Sequence, residues 1–455
     1  MFRKILIANR GEIALRVLRA CRDLGVPAVV AYSEVDRDSL AVRLADEAVC
    51  IGPALPARSY TNIPAIISAA LVTGCDALHP GYGFLAENSY LAEICEQVGV
   101  TFIGPSAAVI EKMGNKASAR AVMREAGVPL LPGTQGVIQT LGDARTEAKR
   151  IGYPVMIKAA AGGGGRGMRI AHNEADLVRL VPLAQAEAMS AFGNGDVYLE
   201  RYLDRPRHVE VQVLGDLHGH IYAIGERDCS LQRRHQKLVE EAPAPNLPRK
   251  VRENLLRAAV KGAKAAGYTS AGTLEFLLDQ DGHFYFMEMN TRIQVEHPVT
   301  ELTTGDLDLV VWQIRIAAGE KLELDSHALD VTGHAIEVRI TAEDANRDFQ
   351  PGVGVVTTWI SPGGPGIRVD SHLYSGYSVP PNYDSLLGKI IAHGKDRAEA
   401  IARLDRALAE TVIEGVPSTI QFHRQILADE RFHKGDVHTG FLAEHFERQE
   451  REAQS

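Results

Sequence analysis

The residues with the clearest chemical content run from Phe284 to Glu296, where polar and apolar side chains alternate. Odd positions carry Tyr285, Met287, Met289, Thr291, Ile293 and Val295, while even positions pass from Phe284 and Phe286 to Glu288, Asn290, Arg292, Gln294 and Glu296. An extended chain puts alternate residues on one face, so a strand here gathers five polar groups on one side. Taken alone, such alternation usually marks a solvated strand face. The preceding segment argues otherwise. Thr273-Leu-Glu-Phe-Leu-Leu278 reads as a second strand, and Asp281-Gly282 signals a two-residue hairpin turn that sets Glu275 opposite Glu288. A four-residue loop over 279–282 instead leaves the two glutamates as diagonal neighbours on the same face. Carboxylates opposed across a ladder repel unless a proton or cation lies between them. With Asn290 one step along, the oxygen set of Glu275, Glu288 and Asn290 suits Mg²⁺, which keeps waters and takes phosphate oxygens as further ligands. Arg292 and Gln294 suit a planar oxyanion beside it, and Glu296 is placed as a base. The pattern predicts a small carbon acid next to a metal-bound nucleotide.

A second anion signal is the run Gly162, Gly163, Gly164, Gly165, Arg166, Gly167. Successive glycines let backbone N–H groups approach phosphate without Cβ interference. No Gly-Lys-Ser/Thr follows, so this is not a Walker A loop, and by itself it reads equally as a hairpin tip. Lys158, inside the apolar strand Val155-Met-Ile-Lys158, favours phosphate, because a buried lysine needs an anionic partner. His208, Glu210 and Gln212 share a face of another alternating run; alone, His208 reads as an edge-strand histidine without chemical duty. Gln232-Arg-Arg-His-Gln-Lys237 reads as a polar loop whose charges are solvated.

These groups need elements to hold them. Residues 4–8, 12–23 and 27–32 read as strand, helix and strand, so the chain opens with a βαβ unit and a parallel sheet. The turn Asn9-Arg10-Gly11-Glu12 has one glycine where a dinucleotide fingerprint needs three, which excludes a nicotinamide or flavin site there. His79-Pro-Gly-Tyr-Gly-Phe84 forms a glycine-punctuated loop at a strand end, a place that commonly lines a ligand crevice. Turn signals at Val128-Pro129 and Pro132-Gly133 mark a hinge before a smaller inserted unit, which closes near Tyr198-Leu-Glu-Arg-Tyr-Leu203. The chain from 204 to about 384 is β-rich, with helices at 250–266 and 396–412.

At 455 residues the chain needs two to three packed units. Its 45% apolar and 24% charged composition is that of a soluble globular protein. A formal charge of −9 without a basic run gives no nucleic-acid footprint. Cys21, Cys50, Cys75, Cys95 and Cys229 have neither CxxC nor zinc spacing and read as reduced cytosolic thiols. With no leader pattern or membrane-spanning run, a soluble cytoplasmic protein is expected.

Ile7-Ala-Asn-Arg-Gly-Glu-Ile-Ala14, His79-Pro-Gly-Tyr-Gly-Phe84, Gly162-Gly-Gly-Gly-Arg-Gly-Met168, Arg233-Arg-His-Gln-Lys237 and Glu288-Met-Asn-Thr-Arg-Ile-Gln-Val-Glu-His-Pro298 together resemble the biotin carboxylases. The likeness covers essentially the whole chain. It implies an ATP-grasp fold of α/β and α+β character: a doubly wound N-terminal domain (1–114), a connecting helical segment (115–130) and a mobile lid (131–203). An ATP-grasp core (204–330), a mostly antiparallel C-terminal β domain (331–446) and a tail (447–455) follow. By motif position, Lys116, Lys158 and the glycine loop hold nucleotide phosphates, and Glu200, Arg201 and Leu203 border adenine. His208, Gln232 and His235 line the nucleotide site, with Glu275 and Glu288 also touching ATP. Mg²⁺ or Mn²⁺, two ions with ATP, rests on Glu275, Glu288 and Asn290. Lys237, Arg292, Gln294 and the Val295 backbone hold bicarbonate, Glu296 is its base, Arg339 stabilises the biotin enolate, and Tyr82 lies near biotin.

The implied reaction is carboxylation of biotin through carboxyphosphate. No Ala-Met-Lys-Met motif for covalent biotin is present, so a biotin carboxyl carrier protein and a carboxyltransferase are expected on separate chains. A homodimer is implied by the resemblance alone. Acetyl-CoA carboxylase is the default parent complex, with another acyl-CoA or pyruvate carboxylase as the alternative. Arg201 stands where the family often carries lysine, and Asp344-Ala-Asn-Arg-Asp-Phe-Gln-Pro351 departs from the acetyl-CoA carboxylase pattern. Competing readings are another ATP-grasp ligase that makes an acyl phosphate and a silent nucleotide-binding subunit. The set Arg292, Gln294, Glu296 and Arg339 argues against both.

Overall fold

The opening apolar run becomes Ile5–Ile7, the middle strand of a five-stranded parallel sheet. The strand order is Glu47–Gly52, Ala28–Ser33, Ile5–Ile7, Ala77–His79, Thr101–Phe102. Ile5 and Ile7 enter one core and Leu6 the other, as expected of a sheet covered on both faces. The chain order reverses at Ile5–Ile7, which opens a crevice at the strand ends. Into it emerge the start of the helix Gly11–Asp23, whose stripe of Ile13, Val17, Leu18 and Cys21 is buried, and the loop after His79. In that loop Gly81 and Gly83 have φ of 63° and 69°. A side chain at Gly81 would bring its Cβ within 2.9 Å of Asn9 Nδ2, which donates to the carbonyls of Pro80 and Tyr82. Those glycines therefore wrap the loop on Asn9 and turn Tyr82 toward the crevice.

The structure, a computed structural model, describes all residues except 135, 161–167, 306, 325–329 and 455, with the side chains of 447 and 449–454 left aside. Residues 138–199 carry a small core of their own: Ile151, Val155, Ile157, Leu177 and Leu199 sit between a three-stranded antiparallel sheet and two helices. The helices are Leu141–Ile151, begun by a Thr140–Asp143 capping box, and Glu174–Phe192. The central strand of this sheet, Val155–Ala159, carries Lys158.

An eight-stranded antiparallel sheet makes the rest of the frame, in the order Phe284–Asn290, Ser270–Leu278, Arg207–Gly215, Ile221–Arg233, Gln236–Ala242, His334–Thr341, Leu386–Gly394, Ile367–Ser371. It runs across the division expected at 330/331, because Gln236–Ala242 pairs with His334–Thr341. Helix Arg249–Ala266 packs a stripe of small residues, Ala258, Ala259, Gly262, Ala263 and Ala266, and ends at Gly267 with φ of 69°.

Three sequence expectations need correction. The strand carrying Glu288 stops at Asn290; Thr291 to Glu296 is irregular and leads into the helix His297–Thr303, so strict alternation does not set Arg292, Gln294 and Glu296. The turn is a three-residue loop over 280–282 closed by Asp279 and His283, with Gly282 at φ of 82°. Glu275 still faces Glu288 because a bulge at Met287 restores the register: Phe276 pairs with Phe286, then Glu275 with Glu288. The bulge also lets Phe286 and Met289 share one core. Finally, Arg207–Gly215 lies between two other strands, so His208 is not an edge histidine.

Candidate active site

One cleft of about 1310 Å³ lies between the crevice of the parallel sheet, the strand bearing Lys158 and the face of the large sheet. It exceeds the space a single drug-sized ligand needs, so a nucleotide and a second substrate fit together. Lys158, Arg201, Leu203, His208, Gln232, His235 and Lys237 line it, as do Glu275, Glu288, Asn290, Arg292, Gln294, Val295, Arg339 and Tyr82. Glu200, Lys116 and Glu296 are not on its wall. Glu200 is buried and accepts Lys158 Nζ at 2.5 Å and Arg120 NH1 at 2.9 Å, so its carboxylate balances the lysine. Lys116 starts the helix Lys116–Glu125 and acts on the cleft through its charge, which partly offsets the upward shift of Glu288. The expected phosphate glycines, Gly162 to Gly165 and Gly167, lie outside the described residues.

The opposed glutamates fit a divalent cation. Burial and then Glu275 raise the pKa of Glu288, and among the described residues its carboxylate makes no hydrogen bond or ion pair. Glu275 is held ionised: burial raises it, but Lys237 and His208 lower it further below the usual carboxylate range. His208 Nε2 stands 3.0 Å from Glu275 Oε2, and Asn290 Nδ2 donates to Glu275 Oε1 at 2.8 Å. A cation between Glu275 and Glu288 relieves the repulsion across the ladder, and Asn290 offers its Oδ1, now 3.1 Å from Arg292 NH2.

Arg234 and His235, with φ of 50° and 67°, form a tight turn between Ile221–Arg233 and Gln236–Ala242. The run 232–237 is therefore a hairpin whose tip, Arg234 to Gln236, is exposed as expected of a polar loop, while Lys237 is sent inward. Lys237 Nζ reaches Glu210 Oε2 at 2.6 Å, Glu275 Oε1 at 2.9 Å and Glu296 Oε1 at 2.7 Å. Burial pushes this ammonium down, but Cys229 and the three carboxylates push it up by more, so it stays charged. Glu296 is wholly buried just below the cleft floor, and Arg339 NH2 donates to its second oxygen at 2.9 Å. Burial raises its pKa, and Lys237, Arg339 and Arg227 bring it well below the ordinary value. It is held as an ionised carboxylate.

Arg292 NH1 donates to Gln294 Oε1 at 3.0 Å, and Gln294 Nε2 to Glu275 Oε1 at 3.1 Å. Arg292 and Gln294 thus adjoin the opposed glutamates although no strand carries them. What fixes them is Glu87, from the loop beyond Tyr82. Its Oε1 accepts Thr291 N at 2.9 Å and its Oε2 accepts Arg292 Nε at 2.9 Å. Sequence reasoning missed Glu87, whose partner lies 205 residues away. It also missed Arg227, fully buried and bonded to Glu210, Gln212, Thr273 and Thr300, which underpins the floor. The charged triplet Glu226-Arg227-Asp228 inside a strand was the available signal. Tyr82, which lines the cleft as Arg339 does, donates its hydroxyl to Glu12.

Comparison with known proteins agrees along the whole chain. Residues 1–110 match the family Biotin carboxylase, N-terminal domain; 115–325 match Carbamoyl-phosphate synthase L chain, ATP binding domain; 337–444 match Biotin carboxylase C-terminal domain. A biotin carboxylase of Nostoc sp. is 56% identical over 443 residues, 97% of this chain and 99% of that protein. A pyruvate carboxylase subunit of Methanothermobacter thermautotrophicus is 52% identical over 98% of this chain and 90% of its own length. The biotin carboxylase–β,γ-ATP complex from Campylobacter jejuni superposes with a TM-score of 0.92 at 48% identity, covering 98% of this chain and 99% of that one. The biotin carboxylase domain dimer of Hydrogenobacter thermophilus 2-oxoglutarate carboxylase, solved with MgADP, ADP and bicarbonate, gives 0.90 at 49% identity and 98% of each chain. By sequence over nearly its full length and by fold, this chain belongs to the biotin carboxylase family of ATP-dependent ligases.

Proposed function

We propose that this chain carboxylates biotin carried on a separate biotin carboxyl carrier protein, using ATP and bicarbonate. The observation that carries the reading is the meeting, in one cleft, of an opposed carboxylate pair, an oxyanion clamp and Arg339. Bicarbonate held by Lys237, Arg292, Gln294 and the Val295 backbone gives its proton to Glu296 and attacks the γ-phosphoryl group, forming carboxyphosphate and ADP. Lys116 and Lys158 contribute positive charge toward the phosphates, while Arg201, Leu203, Gln232 and His235 border the nucleotide. Glu275, Glu288 and Asn290 would hold Mg²⁺ or Mn²⁺, two ions with ATP, whose charge offsets that of the phosphates. Carboxyphosphate separates into CO₂ and phosphate, the phosphate takes the ureido proton of biotin, and the enolate, stabilised by Arg339 beside Tyr82, captures CO₂. Closure of residues 131–203 over ATP keeps water from the labile intermediate.

The test is phosphate release from ATP with and without bicarbonate and free biotin. Release that does not need bicarbonate, or biotin left uncarboxylated, overturns the proposal. For the parent complex we propose acetyl-CoA carboxylase, where this is the first half-reaction toward malonyl-CoA and fatty acids. Relatives named as pyruvate and 2-oxoglutarate carboxylase subunits keep those acceptors as the alternative. Reconstitution with the carrier and carboxyltransferase chains decides by product: malonyl-CoA supports acetyl-CoA carboxylase, oxaloacetate overturns it. We further propose a homodimer in the cytoplasm; a related domain was solved as a dimer, and no described helix is long and apolar enough to cross a membrane.

A further inference from the structure

Two pairs of carboxylates face each other across ladders near the cleft, and they differ in access. Glu288 of the first pair opens on the cleft, where a cation can enter. The second pair, Glu240 on Gln236–Ala242 and Glu337 on His334–Thr341, is directly opposed and fully shut away, both residues 0% exposed. Neither oxygen of Glu337 has a hydrogen-bond partner among the described residues. Glu240 has an ion pair, its Oε1 lying 2.7 Å from Arg339 Nε. The same guanidinium donates through NH2 to Glu296.

The surrounding cations are already engaged. Lys237 is shared among Glu210, Glu275 and Glu296. Lys389, on the next strand, faces Glu12 at 3.1 Å and Asp370 at 3.9 Å and donates to Val295 O at 2.6 Å. The remaining charged groups acting on the pair are Arg339 itself and, repelling it, Glu296 and Glu210. A second negative charge on a pair sealed from water, whose one adjoining guanidinium is already shared with Glu296, is strongly disfavoured. A metal does not resolve the conflict, since both residues are shut off from the cleft and a hydrated divalent cation has no way in. A proton does.

We infer that Glu240 and Glu337 share one proton, and that its presence sets how tightly Arg339 is drawn away from the cleft; this rests on the role proposed above for Arg339. With the proton in place, the pair carries a single negative charge and leaves the guanidinium oriented by Glu296. When the proton leaves, the second charge pulls the guanidinium toward Gln236–Ala242 and away from a developing enolate. Glu240 and Glu337 are thus positioning residues. Burial, partly offset by Arg339 and reinforced by Glu296, pushes Glu240 up to about 7, and burial, partly offset by Lys389 and reinforced by Glu240, pushes Glu337 well above the carboxylate range. The two titrate as a pair.

The test uses the full chain with its glutamates ¹³C-labelled at the side-chain carboxyl, as the Mg²⁺–ATP complex so that Glu288 holds no proton. Infrared spectra between about pH 5.5 and about pH 9 should show a protonated-carboxyl band that persists to neutrality, far above the usual glutamate range near 4.3, and then disappears. Its absence above the ordinary range overturns the shared proton. Glu337→Gln, or Glu240→Gln if the first does not fold, should remove or shift that band; a band unchanged in a folded variant also overturns it. In parallel, biotin carboxylation by the wild type should fall as pH rises through the same ionisation. In Glu337→Gln, where the second charge cannot form, that fall should be lost while bicarbonate-dependent phosphate release keeps its profile. A band that shifts without any change in the biotin profile overturns the link to Arg339. Complete absence of biotin carboxylation in the wild type instead overturns the functional reading and leaves the spectra to judge the proton.

Discussion

Lys237→Met isolates the electrostatic centre of the cleft. The methionine keeps most of the side-chain volume but leaves Glu210, Glu275 and Glu296, which the ammonium now meets at 2.6–2.9 Å, without their shared cation. Removing one partner of a buried ion pair costs about 3–5 kcal/mol, a large share of the about 5–15 kcal/mol that holds a domain folded. The pH dependence distinguishes this cause from lost packing. In the wild type, Glu275 and Glu296 have folded-state pKa values below their unfolded ones, so their stabilisation is present above the unfolded pKa and is lost only as pH falls through the folded pKa. In the variant the three carboxylates repel one another; the folded pKa values of Glu275 and Glu296 should rise above the unfolded ones, and stability is then lost as pH rises through them. The stability gap should therefore be widest near about pH 8 and narrow toward about pH 5.5, by about 1.4 kcal/mol per unit of raised pKa. Urea unfolding followed by far-UV circular dichroism at several pH values measures it. A gap below about 1 kcal/mol at the alkaline end, or one that does not change with pH, refutes the reasoning.

Glu296→Ala should lower turnover by about 10²–10⁴-fold, the usual range for a proton-transfer group, with nucleotide binding by calorimetry retained; lost binding gives Glu296 a structural role instead. Glu275→Gln and Glu288→Gln, made singly, should raise the Mg²⁺ concentration for half-maximal rate by about tenfold or more, and an unchanged metal titration removes them as ligands. Glu87→Ala should raise the KM for bicarbonate by about tenfold, equivalent to about 1.4 kcal/mol, with a smaller effect on kcat. Equal KM values would show that Arg292 is oriented without Glu87.

Local rules read well where the information is local. The alternation in 273–278, the glycine at 282 and the polarity of Glu288 placed two carboxylates face to face, and they do face each other. The register held for a different reason from the one the turn suggested: a longer loop and a bulge at Met287 compensate for one another. A bulge leaves no mark in periodicity, because the extra residue shifts which side chains share a face without changing their types. Beyond Asn290 the pattern suggested a strand that the chain does not form, since Glu87 ties down Thr291 and Arg292 from another layer. His208 read as an ordinary edge residue because strand order, not sequence, puts it beside Glu275.

The sequence by itself determined the kinds of groups available and the family, through short motifs whose glycines, lysines and carboxylates sit at fixed spacings. It also pointed to the opposition of Glu275 and Glu288 on two adjoining strands, although the bulge that keeps their register is visible only in the fold. Tertiary structure alone decided that Lys237 is the common partner of three carboxylates, that Glu296 lies beneath the floor, and that Glu240 and Glu337 are sealed together behind Arg339. The reason is physical. A side chain's identity is a local property, whereas its charge state depends on burial and on partners that only folding brings within a few ångströms.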